Sequence, residues 1–282
     1  MSAARHAADE PVQDQPGHHR DGRDQGAEAE ATDRALARLR PYNLVMGAVH
    51  AAQVVAVLLL ATDFALPVTG TYLAGPPGST LGEPVTLFDS RVAWGVAAFL
   101  GISALAHWVI ASPGVFSWYT ANLRRTKNVA RWVEYAISSS IMIVLIAQLT
   151  GISDAAALLA IFGVNASMIL FGWLQEHYEA PGSGGWLPFV FGCIAGVVPW
   201  LAVLLYVVAP GSTSSASPPG FVYGIIVSLF LFFNVFALNQ WLQYTKVGPW
   251  RDYLVGERVY VLLSLVAKSA LAWQVFGGTL AG

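Results

Sequence analysis

Lys268 is the residue in this sequence with the most chemistry in reach. It is one of three lysines and stands tenth of nineteen in the apolar run VYVLLSLVAKSALAWQVFG, residues 259–277. An ammonium near the middle of a bilayer costs about 2.5–3.5 kcal/mol even on the forgiving insertion scale, so it is kept for a reason. Two readings stand: a structural ion pair between helices, or an amine kept for covalent chemistry such as a Schiff base with an aldehyde. Glu134 is the natural counter-charge. Arg131, Glu134, Tyr135 and Ser138 fall at i, i+3, i+4 and i+7, which lines one helical face. Ser264 lies one turn before Lys268, with its hydroxyl in reach of the nitrogen or the carboxylate.

A second polar group gathers toward one side. His50 and Gln53 lie near the start of the first apolar run and His107 near the end of the second, while Asn128 and Arg131 enter the third. Together they outline a hydrated cavity beside the Glu134–Lys268 pair, with the histidines as proton acceptor or relay; each alone also fits a satisfied core residue. Depth poses a condition. Hydropathy starts the third run at Trp132, which leaves Glu134 shallow and Lys268 central, so their meeting calls for a helix that begins within 120–128. Asp63 reads as an interfacial carboxylate near the end of the first run.

Aromatic, amide and small residues recur at helical spacing: Asn165, Met168 and Gly172; Pro199-Trp200; Phe233, Phe236, Gln240 and Gln243. Such stripes usually pack helices together. Here they can also wall an elongated apolar ligand attached to Lys268, with Gly172 leaving room. Gly192 and Gly196 allow either close helix packing or a thinner wall.

The elements that must position these residues follow from composition. Only 11% of the 282 residues are charged and 55% are hydrophobic. Residues 1–40 hold 14 of the 32 formal charges, so the remaining body cannot cover a water-facing surface. Seven apolar runs are long enough to span a bilayer: 44–66, 92–111, 132–152, 155–174, 186–209, 221–242 and 259–277. They lack the period-two alternation of a barrel. The expected fold is an all-α membrane protein, a seven-transmembrane helix bundle. Residues 67–90 form the longest loop, and their Val, Thr and Tyr content suits a short β-hairpin.

Basic residues give a direction. Arg34, Arg38 and Arg40 precede the first span; Arg124, Arg125 and Lys127 lie between the second and third; Lys246 and Arg251 lie between the sixth and seventh. The loops on the other side hold only Arg91. The expectation is a cytoplasmic N-terminus and an extracellular C-terminus. Residues 1–40 read as a disordered cytoplasmic tail, without the apolar core of a signal peptide and with a short helical lead-in at 32–41; residues 41–282 form the membrane domain. His18-His19 in that tail reads as solvated more readily than as a metal site, and the single cysteine, Cys193, excludes a disulfide framework. A net charge of −2 gives no nucleic-acid footprint.

Taken in order, the pieces resemble the heliorhodopsins, microbial-type retinal proteins with inverted topology. Ser264-Leu-Val-Ala-Lys268 is similar to their SxxxK. Arg131-Trp-Val-Glu134-Tyr135 through Ser138 and Ser139, Phe-Gly172-Trp, Glu176-His-Tyr, Pro199-Trp200 and Asn239-Gln240-Trp-Leu-Gln243-Tyr are similar too, over about residue 35 to the end. The resemblance implies a light-sensing protein with all-trans retinal on Lys268 as a protonated Schiff base. It implies Glu134 as counterion, with Ser138, Ser264 and Tyr135 near the Schiff base. It also implies His50 and His107 in the inner polar cavity, and a homodimer in the lipid bilayer. A cytoplasmic signalling partner and a slow photocycle without net ion pumping complete that picture.

Other classes stay in view. A light-driven pump would place a carboxylate proton donor eleven residues beyond Glu134, where this chain has Leu145. A retinal-free transporter would couple through Glu134–Lys268, yet no matching halves are evident. HExxH, GxSxG and phosphate-loop motifs are missing from the sequence, which argues against an enzyme.

Overall fold

The computed structural model describes residues 18–209, 212 and 217–281, with side chains from residue 29 onward. Among them are eight α-helices and one β-hairpin. The helices are α1 (His18–Leu60), α2 (Val92–Ala111), α3 (Pro113–Arg124), α4 (Val129–Leu149), α5 (Ala155–Tyr178), α6 (Leu187–Val208), α7 (Gly220–Thr245) and α8 (Tyr253–Val275). All but α3 hold a stretch long and apolar enough to cross a membrane. The protein is therefore a multi-pass membrane protein with seven spans. By contact the chain divides into two units, Met1–Leu39 and Arg40–Gly282, and the bundle belongs to the second.

The helix boundaries have local causes. Asn128 caps α4 by accepting from the Arg131 N–H at 3.1 Å. Asp154 caps α5 by accepting from Ala156 and Ala157 N–H at 3.0 Å each, and Asp252 caps α8 through the Leu254 N–H at 2.9 Å. α6 and α7 stop at residues in the left-handed conformation, Ala209 and Lys246. Hydroxyls inside the spans bond back along their own helices: Ser139 and Ser140 donate to Tyr135 O and Ala136 O, both at 2.7 Å. Every polar atom in a low-dielectric interior needs such a partner.

Several boundaries depart from expectation. The first helix ends at Leu60, not at 66, because residues 65–70 pair as β1 (Ala65–Gly70) with β2 (Val85–Arg91), antiparallel, with an irregularity after Val68. The hairpin expected within 67–90 is present, slightly longer. Asp63 falls outside the helix and pairs with Arg91 at 2.9 Å, both exposed. Residues 18–31, read as part of a disordered tail, are helical, and so is the lead-in expected at 32–41. Residues 27–40 are mostly Ala, Glu, Leu and Arg, which are strong helix formers. Residues 1–17 and the His18 and His19 side chains lie outside the described residues.

α4 is the central helix: 67% of its spanning window is buried, against 17% in α6 and in α7. In its half beyond Ser140, Met142, Ile143, Leu145 and Ile146 share one apolar core with Val96, Phe99 and Leu100 of α2 and Leu271 of α8. The hairpin lies at that end. Thr69 N–H donates to Ser153 O at 2.8 Å, in the α4–α5 connection, and Thr62 N–H donates to Leu280 O at 3.1 Å. We call this the hairpin end and the opposite one, carrying Arg124, Arg125, Lys127 and Lys246, the basic end.

Candidate functional site

Lys268 and Glu134 meet. Lys268 Nζ donates to Glu134 Oε1 at 2.7 Å and to Ser264 Oγ at 2.8 Å, and both charged side chains are buried. Helix three does not begin within 120–128 to achieve this; residues 113–124 form the separate helix α3, and α4 starts at Val129. The depth gap closes through side-chain direction. Helical side chains lean toward the N-terminus, so the lysine reaches back a full turn to the level of Ser264. Hydropathy also misplaced the start of α8, which begins six residues earlier than the apolar run, at Tyr253.

The carboxylate is well supported. Ser103 of α2 donates to the same Glu134 oxygen at 2.7 Å. Tyr135 sets its ring face 5.1 Å from Lys268 Nζ, and its hydroxyl donates to Tyr260 O at 2.8 Å. Sequence reasoning missed Ser103. Its i, i+4 spacing from His107 on one face of α2 was the available signal.

From Lys268 a cavity of about 270 Å³ runs among α4, α5, α6, α7 and α8. Ser138, Met168, Gly172, Trp200, Phe233, Phe236 and Gln240 all line it. Trp200 meets Phe233 edge-on, with centroids 5.6 Å apart, and Phe236 meets Tyr135 likewise at 5.4 Å. Gly192 and Gly196 line it too, and a Cβ at Gly196 would fall 2.6 Å from Met168 Sδ. Gly172 makes room for a neighbour: a Cβ there would lie 2.5 Å from Cζ3 of Trp132, which forms part of the wall. Two expected lining residues stand elsewhere. Asn165 sits behind the wall, donating to Ser139 Oγ at 2.8 Å and Ser140 Oγ at 3.1 Å. Gln243 lies a turn too far toward the basic end and donates to Tyr253 O at 3.0 Å.

The polar residues toward the basic end separate into groups. His50 and His107 stack at 5.7 Å between centroids, and His107 Nδ1 bonds Asn43 Oδ1 at 2.7 Å. Gln53 turns away, accepting from Trp273 Nε1 at 3.1 Å. Arg131 and Asn128 bind two carboxylates that sequence reasoning did not assign, Glu176 and Glu257. The Arg131 guanidinium bonds both, Asn128 donates its backbone N–H to Glu176, and its side chain donates to Glu257 at 2.7 Å. The guanidinium also stacks on Tyr260, 4.0 Å from the centroid, and on Trp132 at 4.5 Å. A second cavity of about 40 Å³ lies among Glu134, His107, Tyr119, Arg131 and Glu257.

These residues fit a long apolar aldehyde: an amine at the end of an elongated, aromatic-walled cavity, with a buried carboxylate beside it. Seven spans arranged around such a site have the architecture of a rhodopsin. The structure is similar to the transmembrane domain of the Salpingoeca rosetta rhodopsin phosphodiesterase, with a TM-score of 0.61 and 14% identity over 88% of this chain and 87% of that one. A second structure of that domain with its linker region gives the same score and identity over 88% and 74%. At that identity the likeness concerns the fold alone. A search of curated proteins returns no match. The heliorhodopsin family model matches residues 39–280, and the chain belongs to the heliorhodopsin family. It is a retinal-binding photoreceptor of the microbial rhodopsin type.

Proposed function

We propose that this protein is a light sensor that binds all-trans retinal on Lys268, with Glu134 as counterion, and works without net ion pumping. The observation that carries the reading is the buried Lys268–Glu134 pair at the end of the apolar cavity. Retinal, when joined to Lys268 through its aldehyde carbon, would supply a light-absorbing, isomerisable chain beside the proton that the Lys268 nitrogen shares with Glu134. Trp200, Phe233 and Phe236 hold the chain's length, and Tyr135, Ser138 and Ser264 surround the nitrogen. Glu134 accepts the proton, and the polar groups toward the basic end, His107 with His50 and Arg131, lie next along the way. Return from the same side leaves no net transport.

The packing of α4 supports the last point. A conventional pump needs an acid–base group on the far side of the nitrogen, and Leu145 stands there, buried against Gly95. The sensor reading further places the basic end in the cytoplasm, where α3, its following loop and residues 244–252 would meet a signalling partner, and pairs two copies in the bilayer. A sustained photocurrent under voltage clamp would overturn the sensor reading in favour of a pump or channel.

The first test is the visible spectrum of the protein expressed with all-trans retinal, against Lys268→Ala. A band in the unmodified protein that Lys268→Ala lacks is expected. No band in a folded, retinal-supplied preparation would overturn the reading and return Glu134–Lys268 to structure or coupled transport.

A further inference from the structure

The cluster around Arg131 has a charge imbalance that the Lys268–Glu134 pair does not. One guanidinium faces two carboxylates, Glu176 from α5 and Glu257 from α8, and all three side chains are buried. The other groups turned toward the carboxylates are neutral donors. Asn128 bonds both, and the Tyr253 hydroxyl donates to Glu176 at 3.3 Å. Tyr119 from α3, Tyr135 from α4, Tyr244 from α7 and Tyr260 from α8 lie in their electrostatic surroundings. Burial, and then Glu257 nearby, pushes the Tyr119 phenol well above its ordinary range, so it stays neutral. Among these groups no second cation balances the second carboxylate. Donors can share its charge, but in a low-dielectric interior an unmatched charge is costly.

The cluster is also connected. The 40 Å³ cavity is lined by Glu134, Arg131 and Glu257 together, with room for a bridging water. The histidines offer no such imbalance: His107 already shares its Nδ1 with Asn43, and His50 does not line this cavity.

We propose that the Glu176–Glu257 pair on Arg131 is a proton-binding site, and that it is where a proton leaving Glu134 comes to rest. The transfer balances. An O–H on Glu134 breaks, an O–H on Glu257 or Glu176 forms, Glu134 returns to a carboxylate, and the cluster goes from one excess negative charge to neutral. The proton-binding half rests on the cluster alone. The light-driven half rests on the sensor reading given above.

Infrared titration of the retinal-free protein in lipid nanodiscs separates the two halves. Acidification is expected to produce one carboxylic-acid C=O band from the cluster. Either Glu176→Gln or Glu257→Gln should remove it, because each leaves a single carboxylate matched by Arg131. A structural pair of independent carboxylates would instead leave the partner's band in each variant, and that result would overturn the proposal. So would a titration of the unmodified protein, with glutamate carboxyls ¹³C-labelled, in which no buried glutamic-acid band appears; this arm needs no variant to fold. In the retinal-loaded protein the same band is expected to rise on illumination and to vanish in Glu257→Gln while the visible band remains. A band that rises unchanged in Glu257→Gln and Glu176→Gln would overturn the resting-place assignment. A protein that gains no colour, yet shows the titration, would mean that the sensor reading fails and the proton site stands.

Discussion

Lys268 Nζ lies 2.7 Å from Glu134 Oε1 although Glu134 is the sixth residue of α4 and Lys268 the sixteenth of α8. The lysine stem, running back along α8, spans the difference and brings the nitrogen level with Ser264. Two buried charges are thus held on three helices at once, since Ser103 of α2 bonds the same carboxylate.

Removing one partner of that pair should cost more than removing both. Glu134→Gln or Lys268→Met alone is expected to destabilise the retinal-free protein by about 3–5 kcal/mol, because each leaves a buried charge unmatched. The double variant should recover a large part of that loss. Unfolding in a denaturing detergent, read as a double-mutant cycle, measures the coupling; additive losses would mean that the pair does not interact.

Ser103→Ala removes a hydrogen bond to an ionised group. A loss of about 1.5–3 kcal/mol is expected, and it should shrink to about 0.5–1.5 kcal/mol in a Glu134→Gln background, where the amide oxygen still accepts but carries no charge. Equal losses in both backgrounds would place the effect in packing rather than in the carboxylate.

Gly172→Ala puts a methyl against the Trp132 ring, with a Cβ contact of 2.5 Å. Overpacking of this kind costs about 1–3 kcal/mol. Trp132→Phe in the same chain should relieve it, since the clashing atoms belong to the larger ring of the indole. Thermal unfolding of the two variants checks the order.

Asp154 accepts from two N–H groups at the start of α5. Asp154→Ala should lower stability by about 1 kcal/mol, whereas Asp154→Asn should stay close to the unmodified protein. If both variants fall equally, the carboxylate charge matters more than the cap.

The proposed direction in the membrane has its own test. In a Cys193→Ser background, Ser79→Cys in the hairpin loop should react with an impermeant thiol reagent added outside intact cells, and Thr126→Cys should not. The reverse pattern would invert the assignment and the side from which any partner docks.

What the sequence determined by itself was what depends on composition and local spacing. Seven apolar runs, a mid-run lysine and a carboxylate on a face with Arg131, Tyr135 and Ser138 are visible without coordinates, because burial in a bilayer writes directly into hydropathy and helical period. So was the family resemblance, carried by pieces such as SxxxK and Arg131-Trp-Val-Glu134-Tyr135. Hydropathy fails where polar residues continue a helix. α8 begins among Tyr253, Glu257 and Arg258, and Glu257 was lost with that turn. Only the tertiary structure decided which side chains share a site. Arg131, Glu176 and Glu257 come from three helices, up to 126 residues apart in the chain. Asn165 and Gln243 have the right period but the wrong depth or direction for the cavity. One-dimensional spacing records a residue's face, whereas the partner it meets is set by helix stagger and side-chain reach, which only packing fixes.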